Sequence, residues 1–167
     1  MQNARQNPRV QSHSAKPARQ SFRDSDDFKR FRTLLQAGFV LDGTAVTVPE
    51  LLEFTEPLAR ILQRSDRHDS DTGNHFTRIF QQLKGLQQVQ DAVEIKVELQ
   101  MLKARLAYAD GRQAISRNFH LVMQESIDSV LGSRHIPAQL PGLCGFLEAL
   151  YGYYYYHTQR DIRRRRS

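Results

Sequence analysis

The chain has 167 residues, the length of about one domain, and its 40% hydrophobic content is enough for a single core. Its single cysteine excludes an internal disulfide, and since no apolar run approaches the roughly 18 residues of a membrane span, we expect a cytoplasmic protein without a membrane segment. The net charge is +6, but the distribution of the charged residues along the chain is more informative than this total.

The positive charge lies mainly at the two ends of the chain. Residues 1–23 contain five basic and no acidic residues, and residues 160–167 contain five basic residues and one acidic residue. Because residues 1–23 have almost no large apolar side chains, we predict a disordered basic N-terminal tail there, a helical domain at 24–159 and a basic C-terminal tail at 160–167. Within the domain, residues 24–71 contain ten acidic and six basic residues, whereas residues 72–159 contain seven acidic and eight basic residues. An anionic partner should therefore bind the second half of the domain.

Two helices are predicted in the first half of the domain. Ser25 is a good N-cap for a short first helix, whose apolar residues recur at helical spacing. Residues 39–48 alternate loosely, and because no other strand-like segment could extend a hairpin there, we predict an extended connection. Thr47 is expected to cap a second helix that begins near Pro49 and is strained by Pro57. The residues predicted to face the core are Phe28, Phe31, Leu34, Leu35, Leu51, Leu52, Phe54, Leu58, Ile61 and Leu62.

A polar loop, SDRHDSDTGN, is predicted at residues 65–74. Its Asp66, His68, Asp69 and Asp71 are of metal-ligating types, but their spacing matches neither a calcium loop nor a zinc-binding pair of histidines. We therefore predict a solvated loop and no metal site.

The third predicted helix, from residue 75 to about residue 89, has an unusual polar face. That face contains Arg78, Lys84 and four glutamines, and the next acidic residue is Asp91. Amides donate hydrogen bonds and basic side chains supply charge, so such a face suits a sugar-phosphate backbone. An ordinary solvated face is the alternative that stays open. The opposite, apolar face consists of Phe76, Ile79, Phe80, Leu83 and Leu86.

The fourth predicted helix, at residues 91–109, leads into the segment LKARLAYADGR. Asp110 and Gly111 break the helical pattern, and Gly111 is predicted to take the left-handed conformation that closes a helix. We expect the ring of Tyr108 to lie at the edge of the core, with its hydroxyl near this turn. The buried stripe is Leu99, Leu102, Leu106 and Ala109, and the cations off that stripe are Lys103, Arg105 and Arg112.

Two further helices complete the predicted fold. One ends at Gly132, and the last follows a linker that contains Pro137 and Pro141. Residues 151–156 of the last helix include five tyrosines. Their rings project from every side of the helix, so some must be buried and others exposed. Exposed tyrosines stack on unpaired bases in some proteins, but packing in the core or against a subunit is the favoured interpretation. The fold class is all-α, a compact bundle of about five to six helices with disordered basic tails.

The sequence contains no recognisable catalytic pattern. It has no nucleophile elbow, no glycine-rich phosphate loop and no paired carboxylates in a known frame. We therefore predict that the chain is not an enzyme and needs no cofactor. An RNase that uses His75 or His157 for general acid–base chemistry is an alternative that stays open.

Three motifs occur in this order along the second half: FTRIFQQLKGLQ at Phe76–Gln87, LKARLAYADGR at Leu102–Arg112 and FLEALYGYYYYH at Phe146–His157. Together they resemble the small subunit of type III-A CRISPR–Cas effector complexes, the Csm complexes. That family has a Gln shortly before the Arg of its first motif, whereas Phe76 and Thr77 precede Arg78 in this chain.

The resemblance implies a non-catalytic subunit that serves antiviral defence. Several copies of such a subunit stack along the complex and support the duplex of guide RNA and target RNA through its backbone. The implied partners are these two RNAs, further copies of the chain, and other subunits that include the backbone and large subunits. The neighbouring backbone subunits of such complexes cut the target RNA.

The predicted RNA-binding surface is independent of base sequence and lies on the third and fourth helices. Glu148 is expected to need Arg105 or Arg112 as a partner if it is buried, which would give that arginine a structural role. The alternative function is a helical protein-interaction adaptor whose cationic face binds an acidic partner protein. The predicted RNA contacts are Arg78, Lys84, Lys103, Arg105 and Arg112.

Overall fold

The computed structural model describes residues 21–41, 44, 46–66 and 71–166 of the chain. These residues form a short 3-10 helix and six α-helices, with no strand among them, and the all-α prediction is confirmed. None of the described helices is long and apolar enough to cross a membrane. The elements are the 3-10 helix Phe22–Asp24 and the helices α1 (Asp26–Leu35), α2 (Pro49–Ser65), α3 (Thr72–Leu86), α4 (Ala92–Gly111), α5 (Arg117–Leu131) and α6 (Ile136–Arg166).

Helix α6 lies at the centre of the bundle, where it packs against α2, α3, α4 and α5. Near its start, Phe146 stacks on Phe31 of α1 with ring centroids 5.8 Å apart. Farther along, Tyr154 lies 5.3 Å from Phe76 of α3, which in turn lies 4.5 Å from Phe119 of α5. Burial of each such ring stabilises the fold by roughly 2 kcal/mol. Aromatic contacts therefore join α6 to helices from both halves of the chain.

The described part of the connection between α1 and α2 is extended, as predicted, and has one antiparallel bridge between Val40 and Thr47. It crosses α6 closely at Gly142, where a Cβ atom would lie 2.3 Å from the Phe39 carbonyl oxygen. The prediction that Thr47 caps α2 is wrong, because its hydroxyl donates to the Gly142 carbonyl at 3.3 Å. The N-cap is Val48, which makes no side-chain capping bond.

Helix α2 continues through Pro57 without interruption. A proline inside a helix removes one backbone hydrogen bond, and the close packing of α2 on α6 offsets this cost. Leu52 was predicted to face the core, but 37% of its surface is exposed. The reason is position: Leu52 lies about 100° around the helix from the buried Leu51, outside the apolar stripe.

The polar loop before α3 is shorter than predicted, because α3 begins at Thr72. The Asp66 carboxylate is not simply solvated, since it accepts hydrogen bonds from Thr72, at 3.0 Å, and from Tyr154 of α6. Burial raises the pKa of Asp66, and these hydrogen bonds offset part of that rise. His68 and Asp69 lie outside the described residues. Within the described residues, no cluster of three His, Cys, Asp or Glu side chains could hold a metal.

The end of α4 differs from the prediction. Gly111 belongs to the helix, and the positive φ of 60° is found at Gln113 instead. The Asp110 carboxylate anchors this last turn, because it accepts a hydrogen bond from Arg117 at 2.6 Å and lies 2.6 Å from Nδ1 of His120. Partial burial acts to raise the pKa of Asp110, but these two partners outweigh it and lower the pKa below its usual value.

The predicted linker before the last helix is wrong, because α6 begins at Ile136 and includes both prolines. Pro137 lies in the first turn, where no backbone N–H is needed for an intrahelical bond. Pro141 removes a single helical bond. The fully buried Leu140 and Leu143 beside it supply the packing that keeps this turn helical.

The structure describes most of the predicted C-terminal tail and only the last three residues of the predicted N-terminal tail. Residues 160–166 continue helix α6 to Arg166 rather than form a separate tail. Arginine is a good helix former, and cations are favourable near a helix C-terminus, so this run can remain helical. At the other end, residues 1–20 lie outside the described residues. Phe22, in the 3-10 helix, packs edge-on against Phe28 with ring centroids 5.1 Å apart.

Candidate nucleic-acid interface

Helices α3 and α4 enclose a surface groove of about 540 Å³. The groove exists because α3 packs mainly on α6 whereas α4 packs mainly on α5. Ile79 of α3 and Leu102 and Leu106 of α4 are buried side chains that line its floor. At one end, the backbone N–H of Asp71 donates to the Ala114 carbonyl at 2.9 Å and holds the two chain segments together. The result is a groove with an apolar floor and a polar rim.

Three of the five predicted RNA contacts line this groove. Arg78 extends from α3, Arg105 from α4 and Arg112 from the C-cap position that follows α4. All three side chains are exposed, and none forms a salt bridge with a carboxylate in the described part of the chain. Asp71 is the acidic residue that lines the same groove. The rim therefore has an excess of positive charge that an anionic ligand would neutralise.

Tyr108 lies on the rim with 66% of its surface exposed, so the prediction of a ring at the core edge is wrong. The Arg112 guanidinium carbon is 5.6 Å from the centroid of this ring, and Nη1 of Arg112 donates to the Tyr108 hydroxyl at 3.2 Å. This cation–π contact and hydrogen bond hold Arg112 at the end of α4. Glu148 is exposed on α6 and does not require a cationic partner, which removes the structural role suggested for Arg105 or Arg112.

The two predicted lysines do not line the groove. Lys103 is partly buried and pairs with Asp128 of α5, so it joins α4 to α5. Lys84 lies near the end of α3, with Nζ 5.2 Å from the ring centroid of Phe80. The structure thus separates the five predicted cations into three that share a groove and two that lie apart from it.

The groove also contains His75 and Gln82, which were outside the predicted set of five. Both follow helical spacing with Arg78, which is three residues after His75 and four residues before Gln82, so the three share one face of α3. Nε2 of Gln82 donates to Oε2 of Glu98 on α4 at 3.3 Å. Gln82 is one of the four glutamines of the predicted polar face, and helical spacing from Arg78 was the signal in the sequence that could have identified His75.

His157, one of the two histidines considered for acid–base catalysis, is unsuited to that role. Only 6% of its surface is exposed, and its Nε2 is buried without a hydrogen-bond partner among the described residues. Burial lowers the pKa of His157, and the positive charges of Arg60 and Arg160 lower it further. The imidazole is enclosed, so it cannot contact an RNA on the surface.

A family model described as Csm2 Type III-A matches residues 50–160, which is more than half of the chain. The chain belongs to the Csm2 family. It is a small subunit of type III-A Csm complexes and hence a structural subunit of a CRISPR effector, as the three motifs implied. Searches of curated proteins and of solved structures found no match.

The region that matches the Csm2 family includes the whole groove, because α3 and α4 both lie within residues 50–160. Helix α1 and the last residues of α6 lie outside that region. All residues that line the groove therefore lie within the region that matches the Csm2 family model.

Helix α4 of this Csm2-family chain also has an exposed apolar stripe. We define the α4 stripe as Val93, Val97 and Met101, which are 69%, 55% and 48% exposed. These residues are spaced four apart and share one face, while Ile95 and Leu99 are buried on the other. Contiguous exposed apolar side chains are typical of a surface that contacts another protein. The stripe lies in the N-terminal half of α4, whereas Arg105 lies in its C-terminal half and Arg112 directly follows the helix as its C-cap.

Proposed function

We propose that this chain is a non-catalytic RNA-binding subunit that supports the duplex of guide RNA and target RNA in the type III-A complex. The observation that supports this proposal best is the convergence of Arg78, Arg105 and Arg112 on one groove. A guanidinium donates two parallel hydrogen bonds to a phosphate and remains charged at every physiological pH. Three such groups from two helices suit consecutive phosphates of a nucleic-acid backbone.

The groove favours contacts to the backbone over contacts to base edges. In an A-form duplex, the bases are paired and the deep major groove excludes side chains, so proteins contact phosphates and 2′-hydroxyl groups. The amide of Gln82 and the imidazole of His75 are suited to hydrogen bonds with such hydroxyl groups. We therefore propose binding that does not depend on base sequence.

Lys84 and Lys103 extend the proposed RNA surface beyond the groove. Lys103 must share its charge with Asp128, with which it pairs in the described structure. Its contribution to RNA binding should consequently be smaller than that of Arg78.

Assembly is the second part of the proposed function. The α4 stripe is proposed to pack against a neighbouring copy of the chain, because the family resemblance implies stacked copies of this subunit. Because the stripe and the groove occupy different halves of α4, one helix would contact a protein and the RNA at the same time.

The test of RNA binding measures the affinity of the purified protein for a fluorescent guide–target RNA duplex over a range of salt concentrations. Each phosphate contact releases counterions, so the logarithm of the association constant falls linearly with the logarithm of the salt concentration. Arg78→Ala/Arg105→Ala should weaken binding by similar factors on different RNA sequences. It should also make the slope shallower by about 0.7 to 0.9 for each phosphate that the variant no longer neutralises.

The matched control is Arg134→Ala, which removes an exposed arginine from the connection between α5 and α6. This variant should bind the duplex nearly as well as the parent protein. Equal affinity of parent and groove variant would contradict the proposed surface and favour the adaptor that binds an acidic protein. Sustained cleavage of the labelled RNA by the purified chain would contradict the non-catalytic role.

A further inference from the structure

The C-terminal part of α6 forms a second surface that the groove between α3 and α4 does not include. We define the α6 face as Tyr155, Tyr156, Gln159, Arg160, Arg163 and Arg164, which line a surface depression of about 590 Å³ together with Gly152. Arg163 and Arg164 lie beyond the region that matches the family.

Helical spacing places these side chains in two adjacent rows. Tyr156, Arg160 and Arg164 are four residues apart, and Tyr155 and Gln159 begin the neighbouring row. The rows extend over about 12 residues from Gly152, or roughly 18 Å along the helix axis at 1.5 Å per residue. Aromatic rings thus occupy one end of the α6 face and guanidinium groups the other.

The two rings of the α6 face are exposed to solvent. Tyr155 and Tyr156 each expose 54% of their surface. The neighbouring Tyr154, whose ring packs on Phe76 of α3, exposes only 7%. Tyr151, which packs against the core, lies 6.3 Å from the Tyr155 ring and supports it from the preceding turn. A Cβ atom at Gly152 would meet nothing within 4 Å, so the space beside the rings is open.

The acidic residue of this part of α6 has its carboxylate directed toward α2. Asp161 is the acidic residue in this part of α6, and its Oδ2 accepts a hydrogen bond from Gln63 of α2 at 2.9 Å. The carboxylate therefore points toward the bundle. Four arginines, Arg163–Arg166, follow closely, so this end of α6 has a net positive charge.

We infer that the α6 face binds single-stranded RNA, with the tyrosine rings stacked on unpaired bases and the arginines in contact with the phosphates that follow. Platforms for single strands combine a positively charged groove with exposed aromatic rings, as this face does. A duplex does not fit equally well, because its bases are already stacked on each other. An acidic protein would neutralise the arginines but has no bases to cover the rings. This inference concerns an unpaired RNA segment and a separate surface, so it goes beyond the duplex binding proposed for the groove.

The test compares two probes with equal numbers of phosphates: a fluorescent oligoadenylate and an abasic oligonucleotide of the same length. All variants are made in the full chain with Arg78→Ala/Arg105→Ala, which should weaken the binding of RNA at the groove. The parent of this series should bind oligoadenylate more tightly than the abasic strand. Tyr155→Ala/Tyr156→Ala should weaken oligoadenylate binding about tenfold or more and leave abasic binding nearly unchanged.

Two variants control this comparison. Tyr155→Phe/Tyr156→Phe should bind oligoadenylate nearly as well as the parent, because stacking requires the ring and not the hydroxyl. Tyr153→Ala removes another exposed tyrosine of α6 that does not line the depression, and it should have no effect. Circular dichroism should give the same helical signal for every variant.

Several results would overturn the inference. One is equal loss of affinity for both probes, which would assign the α6 face to phosphate contact alone. Another is unchanged oligoadenylate binding after removal of both rings. A third is competition by polyglutamate as effective as that by oligoadenylate at equal charge, which would assign the face to an acidic protein.

Discussion

The exposure of Tyr108 follows from helical geometry. Tyr108 is six residues after the buried Leu102, which places it about 240° around α4 at 100° per residue. The buried stripe of Leu102, Leu106 and Ala109 spans a narrow arc on the opposite side. Aromatic rings are often buried because of their apolar area. The position of Tyr108 on the helix instead places its ring in solvent. The exposed ring instead holds the guanidinium of Arg112.

Tyr108→Ala is accordingly expected to change the free energy of unfolding by no more than about 0.5 kcal/mol, as for other exposed residues. Leu106→Ala, two residues away on the buried side, should cost about 2–5 kcal/mol, the range for large-to-small changes in a core. Chemical denaturation of both variants provides the measurement. A destabilisation of about 3 kcal/mol in Tyr108→Ala would restore the interpretation of a core ring.

At the scale of one element, α6 is a long continuous helix, although its sequence contains residues that usually interrupt helices. Its first two turns contain Pro137, Pro141 and Gly142, residues that usually mark a turn. Gly142 has a packing function instead, because the connection between α1 and α2 passes where a Cβ atom would lie. Glycine at this position therefore lets another segment of the chain cross the helix closely, and it does not end the helix.

Gly142→Ala should destabilise the protein by about 1–3 kcal/mol, the usual cost of overpacking. Gly152→Ala on the same helix is the matched control, because a Cβ atom there would meet nothing within 4 Å. That variant should be more stable by about 0.5–1 kcal/mol, since alanine is the better helix former. Both values are obtained from urea denaturation. A Gly142→Ala protein as stable as the Gly152→Ala protein would contradict the close crossing.

At the scale of the whole molecule, the exposed surfaces are distributed around one core. The groove between α3 and α4 is basic, the α4 stripe is apolar, and the α6 face combines aromatic rings with arginines. Helix α4 contributes apolar residues both to the core and to solvent, which is why its sequence has little amphipathic contrast. A subunit of a multi-subunit complex needs such separate surfaces for its different neighbours.

Removal of the α4 stripe should affect assembly and not folding. Val97→Ser/Met101→Ser is expected to keep the parent's melting temperature within a few degrees, because both side chains are about half exposed. It should reduce self-association in analytical ultracentrifugation and recovery with the other subunits of the complex. The control is Leu52→Ser, which changes an exposed apolar residue on α2. Unimpaired assembly of the stripe variant would show that the stripe is not an interface.

The sequence by itself determined the all-α class, the family, the cap at Ser25 and most of the core, because helical periodicity and capping depend on neighbours within a few residues. Only the tertiary structure decided which cations share a groove, since Lys103 and Arg105 are two residues apart yet point toward different helices. It also decided the environments of Tyr108, Gly142 and Asp66. In each case the partners are distant in sequence or set by helix rotation, and local propensity contains no information about which helix lies opposite a given side chain.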